Sequence, residues 1–457
     1  MTDNTSDVLV TGATGYVGGR LVPELLNRGI AVRVLTRSIG RIRDRPWFGA
    51  VDVVEGDAND ASTLAKALAG IHTAYYLIHA LGAGGGFESR DRDTAAKFAR
   101  AAEEARLGRI VYLGGIIPKH AGRLSPHLRS RMEVGHVFLT SATPTIALRA
   151  AVILGSGSVS FEMMRYLTER LPVMTTPTWV RTRIQPIAIR DVLWYLAECL
   201  RLPPETNRTF EICGPQILTY QEMMCRFAAI EDLPKRLILP VPVLSPKLSS
   251  YWVGLVSPVP SRIAKPLVES LRHEVVCHED DLADMIGEPP GGRLDFDTAV
   301  RLATRRVREA EVAGAWSSVD PQPTLTTAPS EPQPTDPRWA GGSLYVDRHS
   351  RPVLASRERL WWAIESLVDR LDRWRVEARI PGRLLRLRAE MRLPGRAWLE
   401  LRIDEAGPCP RLVERLVFWP RGLSGHIWWW LSRPIRAVVS EWKLRQLVRA
   451  GEGARAR

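Results

Sequence analysis

Long apolar runs are missing from this chain. No stretch of its 457 residues approaches the ~18 consecutive apolar positions of a spanning helix, so a membrane-crossing segment is excluded. Cysteine is scarce: five residues, at 199, 213, 225, 277 and 409, odd in number and with no C-x-x-C. That usage points to reduced thiols in a cytoplasmic protein and speaks against a disulfide framework or a cysteine zinc site. The nine histidines form no H-E-x-x-H, so no metal site is assigned. The opening residues Met1 to Asp7 are polar and acidic, unlike a signal or transit peptide. No nucleic-acid-binding motif accompanies the basic residues, and no nucleic-acid partner is expected.

What is present divides unevenly. Residues 338–457 carry 25 lysines and arginines against 13 acids, a net charge of +12, while the first 337 carry 38 against 37. Ten of the 15 tryptophans also lie after 338. Two compositions imply two domains with different surfaces. Residues 319–337, VDPQPTLTTAPSEPQPTDP, have proline and threonine but no apolar periodicity, which predicts a semi-extended linker. The expected organisation is therefore a domain over 1–318, the linker, and a basic, tryptophan-rich domain over 338–457.

From residue 8 to about 154, short β-rich runs (8–11, 31–36, 51–55, 72–78, 109–114, 145–150) alternate with helical patterns around 16–28, 61–69, 88–107 and 129–141. This alternation predicts βαβ units, a buried parallel sheet and an α/β, doubly wound Rossmann fold. Pro23 resists the scheme, since it falls inside the first helix, where it removes a hydrogen bond. Residues 155–316 read as the last sheet strands plus a smaller substrate-side lobe. In the tail, 374–380, 385–393 and 397–403 alternate apolar and polar residues and are separated by Pro-Gly. That predicts an antiparallel meander, with 412–419 as a candidate fourth strand and a basic helix from about 434; the tail is expected to be a small α+β domain.

The segment VLVTGATGYVGG, residues 8–19, follows a strand and opens a helix. Gly12, Gly15 and Gly18 permit a tight turn and close approach of a pyrophosphate to the backbone. Thr14, Tyr16 and Val17 complete the loop, and the helix N-terminus presents free N–H groups. The cofactor expected is a nicotinamide dinucleotide. Where an unphosphorylated ribose would favour an acid after the second strand, this chain has Arg37, with Arg41 beyond. A guanidinium suits a 2′-phosphate, which favours NADP (NADPH) over NAD. Asp57, after the third strand, either accepts the adenine amine or caps a helix.

TGATGYVGGRL, GDANDAS and QPIAIRDV together resemble the short-chain dehydrogenase/reductase superfamily, in its atypical branch of NmrA-like proteins and the nucleotide-binding accessory subunit of respiratory complex I. RLPVMTTPTWVRTRIQPIAIRDV and PKLSSYWVGLVSPVP are similar to bacterial two-domain proteins in which such a domain precedes a START-like domain of unknown function. In the tail the likeness rests on LRAEMRLPGRAWLEL and FWPRGLSGHIWWW, and a stretch between Leu367 and Trp374 is shorter than in those relatives. The resemblance implies a Ser after strand five and a Tyr-x-x-x-Lys on the next helix. Here strand five ends Tyr112-Leu113-Gly114-Gly115, and His127 and Arg131 stand where Tyr and Lys would be. Two readings follow: His127 is the general acid/base with Arg131 holding the cofactor, or His127 packs at a helix start and relays nothing. Ser125 and Tyr112 are further stand-ins.

The resemblance thus implies an NADPH-using oxidoreductase acting on an apolar carbonyl or quinone-like acceptor, or a non-catalytic NmrA-like nucleotide sensor or assembly factor. Phe161, Met163 and Met164 line an apolar pocket or pack a helix; Arg165, Arg181 and Arg183 meet an anion or face solvent. Trp428-Trp429-Trp430-Leu431, with Ile435, Val438, Val439 and Trp442 on one helical face, either closes the meander's core or makes a peripheral membrane contact.

Overall fold

The computed structural model describes residues 7–80, 86–118, 124–240, 256–304, 329–330, 333, 336–337, 339–368, 372–404 and 409–453. Most of the expected linker, and residues 241–255, lie outside the described residues. The chain forms two compact units, 1–168 with 173–342 and 169–172 with 343–457.

Seven strands build the first unit's sheet: β1 (Val8–Thr11), β2 (Val32–Thr36), β3 (Asp52–Glu55), β4 (Thr73–Tyr76), β5 (Arg109–Gly115), β6 (Thr145–Ala150) and β7 (Arg208–Ile212). Their spatial order is β7-β6-β5-β4-β1-β2-β3, and every pairing is parallel. This is the Rossmann arrangement the alternation predicts. Central strands such as β1, buried at all four positions, are apolar on both faces because helices cover both. On one face α1 (Tyr16–Asn27) packs Leu21, Val22 and Leu25 into the core. On the other lie α2 (Ala61–Leu68), α3 (Phe87–Glu104) and α4 (Pro126–Leu139). Between β1 and β4 the winding reverses, which opens a crevice beyond the strand ends.

Pro23 does sit inside α1. The carbonyl it leaves without an N–H partner belongs to Gly19, and the buried Trp47 indole donates to that oxygen at 3.2 Å. The helix tolerates its proline because a side chain from outside it makes the missing bond.

An aromatic cluster ties α3 and α4 to the sheet. The Tyr76 ring meets Phe98 at 5.1 Å and Phe138 at 4.7 Å, both edge-on. His79, Asp91, His127 and Arg131 of the candidate site below hang from these elements.

Cysteine departs from expectation. Cys213, just after β7, and Cys277 form a disulfide across 64 residues, with Cα atoms 6.3 Å apart; Cys199, Cys225 and Cys409 are free. Separate hydrogen bonds bring the two together. Gln185 accepts from the N–H of Cys277 through its side-chain oxygen and donates from its side-chain nitrogen to the carbonyl of Gly214, next to Cys213. Cysteine spacing carries no trace of such a fold-dependent pairing.

The described part of the 319–337 segment lies against the first unit. Arg20, almost fully buried, makes a bidentate pair with Asp336 (2.8 and 2.7 Å) and donates to the Pro329 carbonyl.

The second unit has five antiparallel strands: β8 (Tyr345–Pro352), β9 (Trp374–Ile380), β10 (Leu384–Ala389), β11 (Gly395–Asp404) and β12 (Arg411–Pro420), in the order β8-β12-β11-β10-β9. β9 to β12 are the meander read from the alternation. β8, YVDRHSRP, is an edge strand with no fully buried residue, so it lacks an apolar signature. Two helices, 357–368 and 433–453, bury Leu360, Ile364, Leu444 and Leu447 against Leu385, Leu387, Leu399 and Leu401.

Candidate dinucleotide and proton-relay site

A cleft runs along the crevice at the ends of β1, β2 and β4. One half, of about 520 Å³, is lined by Gly12, Thr14, Gly15, Arg37, Arg41 and Asp57, among others. The other, of about 540 Å³, is lined by Gly15, Tyr16, Val17, Gly18, His127 and Arg131, among others. Gly12, Gly15, Leu77 and His79 border both halves, so the cleft is continuous.

The glycine loop forms its floor. Gly12 has φ +72°, and a Cβ there would meet the Leu77 carbonyl oxygen at 2.5 Å. Gly18 presses on the turn, since its Cβ would stand 2.5 Å from the Gly12 oxygen. Gly15 precedes α1 and makes no side-chain cap, which leaves the first-turn N–H groups to an anion.

At the far end Arg37 and Arg41 are exposed on the rim and make no ion pair among the described residues. Asp57 accepts from the N–H and side-chain amide of Asn59 (2.8 and 2.9 Å), forming a tight turn at the cleft wall. The cap of α2 is Asp60, which accepts from the Thr63 N–H at 2.8 Å, so the helix-capping reading of Asp57 is set aside.

Where the two halves join, side chains from three elements meet. His79 follows β4, Asp91 is on α3, and His127 and Ser130 are in α4. His79 Nδ1 lies 2.7 Å from Asp91 Oδ2, and His79 Nε2 lies 3.2 Å from His127 Nδ1. Asp91 also accepts from the Ala80 N–H and the Ser130 hydroxyl, each at 2.8 Å. Burial opposes ionisation of Asp91, but the bonds from His79, Ala80 and Ser130 outweigh it and hold the carboxyl below its usual range. Burial, together with the Arg131 charge, pushes the His79 pKa below the ordinary imidazole value against the pull of Asp91. Burial, then His79 and Arg131, push His127 well below it. With Asp91 ionised and both rings neutral, His79 donates through Nδ1 to Asp91 and accepts at Nε2 from His127 Nδ1–H. The His127 Nε2 is left outside this chain.

Arg131 stacks over the Tyr112 ring at 4.8 Å and donates through Nη2 to the Leu113 carbonyl. Its Nη1 is buried with no hydrogen-bond partner among the described residues. A bare glycine floor, an open helix N-terminus, rim guanidiniums and an unsatisfied arginine nitrogen are what a dinucleotide would satisfy.

Residues 12–137 match the family described as NAD(P)H-binding. The chain contains an NAD(P)H-binding domain. Residues 363–441, in the second unit, match a family described as a protein of unknown function, DUF2867. Among curated relatives, a 3 beta-hydroxysteroid dehydrogenase/Delta 5→4-isomerase of Mycobacterium tuberculosis is 32% identical over 122 residues; the match spans 24% of this chain and 32%, about a third, of that relative. Among solved structures, the Citrobacter triphenylmethane reductase complexed with NADP(H) is 21% identical at a TM-score of 0.52, over 65% of this chain and 99% of that one. A Staphylococcus aureus nucleoside-diphosphate-sugar epimerase is 14% identical at 0.53, over 65% and 99%. An NADPH-dependent quinone oxidoreductase of Escherichia coli is 17% identical at 0.50, over 64% and 98%. These likenesses establish the fold, which the two reductases and the epimerase share.

Within the NAD(P)H-binding domain, the loop residues, Arg37, Asp57, His127 and Arg131 all border the one cleft. The two stand-ins do not serve. Ser125 is fully buried as the cap of α4, and the Tyr112 hydroxyl is turned inward onto the Arg131 carbonyl at 2.9 Å. Phe161 packs edge-on against Phe227, while Met163 and Met164 line a separate cavity of about 20 Å³. Arg165 is buried with Glu162, and Arg183 pairs with Glu274 at the surface. The apolar wall of the cleft comes instead from Ile263, Leu267 and Leu271, on and just after the helix 261–270, and from Val275. Their i, i+4, i+8 spacing is present in the sequence, though interrupted by Pro266. His79 and Asp91 were not singled out from the sequence, because no local motif joins residues 12 and 48 positions from their partners.

Proposed function

We propose that the protein is an oxidoreductase that uses NADPH to reduce an apolar carbonyl or quinone-like acceptor. The observation that carries this reading is the Asp91–His79–His127 chain, which starts in the half of the cleft that holds Arg37 and ends beside Arg131 in the other half.

In this reading bound NADPH supplies a hydride to the acceptor's carbonyl carbon. The donating state carries one proton more than the neutral pair: His79, protonated on both nitrogens and held by ionised Asp91, donates through Nε2 to His127 Nδ1, and His127 holds the proton for the acceptor's oxygen on Nε2. As that proton leaves, His127 Nδ1 takes one from His79 Nε2, and Asp91 retains the proton on His79 Nδ1. The histidine pair loses one proton per turnover and regains it from solvent. Arg131 orients the cofactor through its free Nη1, and Arg37 with Arg41 receives the 2′-phosphate. The wall of Ile263, Leu267 and Val275 favours an apolar acceptor and excludes water.

NADPH oxidation with a carbonyl and with a quinone acceptor, in wild type and His127→Phe, tests the proposal. The expected result is intact NADPH affinity and a loss of about 10²–10⁴-fold in carbonyl reduction, with a smaller loss for a quinone that takes its proton from water. Tight NADPH binding with no turnover of either acceptor would replace the oxidoreductase with the nucleotide sensor. Turnover unchanged in His127→Phe would remove His127 as the acid.

A further inference from the structure

The tryptophan-rich end of the chain divides its aromatics. Trp429 is buried, stacked on Tyr345 and on Phe418 at 5.2 and 5.5 Å, and closes the core as one sequence reading expects. Its neighbours do not. On helix 422–431, Leu423, Ile427, Trp430 and Leu431 are exposed, Trp430 at 57% and Leu431 at 73%. On helix 433–453, Ile435, Val438, Val439 and Trp442 are exposed, Ile435 at 67% and Trp442 at 62%. The spacing in each set places it on one helical face. Two consecutive helices thus each offer water a row of large apolar side chains, which soluble surfaces rarely do.

Basic residues border this surface. Arg421 precedes the first helix, Arg433 stands at the junction with its guanidinium 6.0 Å from the Trp430 ring, and Arg445 and Arg449 follow Trp442. Of the two acids on the second helix, Glu441 is engaged by Arg351 and Arg445, and Glu452 accepts from the Leu354 N–H. Residues 338–457 as a whole carry a net +12. We infer that these two helices dock, lying flat, on the surface of an anionic lipid bilayer.

The chemistry selects this occupant. Tryptophan beside arginine suits the headgroup level, with aliphatic residues reaching the acyl boundary. Nucleic acid has nothing to gain from rows of leucine, isoleucine and valine. A second copy of the chain would bring the same arginine border against itself. No helix among the described residues is long and apolar enough to cross a membrane, so the contact is peripheral. This inference is independent of the proposed reaction.

Flotation of the full chain with vesicles tests it. The protein should bind phosphatidylcholine–phosphatidylglycerol vesicles, release with salt, and bind phosphatidylcholine vesicles weakly, with tryptophan emission shifting to the blue on binding. Ile435→Glu with Val439→Glu, at positions facing water, should lower vesicle binding by more than about tenfold while leaving the thermal transition and NADPH affinity unchanged. Trp442→Ala, a milder change, should weaken binding in the same direction. Failure to bind either vesicle, or equal binding to both, would overturn the inference. So would a self-associating chain whose dimer is broken by the double variant while no vesicle is bound.

Discussion

Arg37 illustrates how far a single residue carries the account. It stands on the cleft rim after β2, with no ion pair among the described residues, where the ribose of a bound dinucleotide would lie. If it receives a 2′-phosphate, Arg37→Ala should weaken NADPH by about 1.5–3 kcal/mol and leave NADH nearly unchanged, read by calorimetric titration. An equal loss for both would make it a shaping residue. The histidine pair yields a second prediction. Both imidazoles are held below their ordinary range by burial, so as pH falls through ~6.5 the unfolded chain takes up protons that the folded one refuses. Stability should be full above that pH and decline below it, by up to about 1.4 kcal/mol per pH unit for each group. His127→Phe should flatten the acid side of the denaturation profile. At this scale the sequence was half-legible. His127 and Arg131 stand at positions that a family pattern marks, whereas Asp91 and His79 come within hydrogen-bond reach of each other and of His127 only when α3 and the end of β4 are brought together.

The elements were mostly visible in the chain's periodicity, because fully buried parallel strands and capped helices have local signatures. The exceptions have physical causes. β8 escapes notice because an edge strand with charged residues need not alternate apolar with polar. Pro23 argues against α1 by every local rule, and the compensation comes from Trp47, 24 positions later. That device can be tested. Trp47→Phe keeps the ring's packing but leaves the buried Gly19 carbonyl with no donor, and should cost about 1–2 kcal/mol in chemical denaturation. No change in stability would mean that the proline is tolerated for another reason.

At the scale of the whole molecule, charge and tryptophan content divide the chain at 338, while its two compact units divide after 342, with 169–172 joined to the second. The Cys213–Cys277 pairing and the helix that walls the cleft were not visible, because each depends on contacts between distant parts of the chain. The central claim is that one cleft brings a reduced nicotinamide to an acceptor beside His127. NADPH carrying deuterium at the transferring C4 position, incubated with an apolar carbonyl acceptor, whose new carbon–deuterium bond does not exchange with water, and followed by mass spectrometry, tests it most directly. The account predicts deuterium in the acceptor's product with the wild-type protein and none with Gly15→Asp, whose side chain and charge would occupy the pyrophosphate's approach. An unlabelled acceptor recovered from a protein that binds NADPH tightly would contradict it.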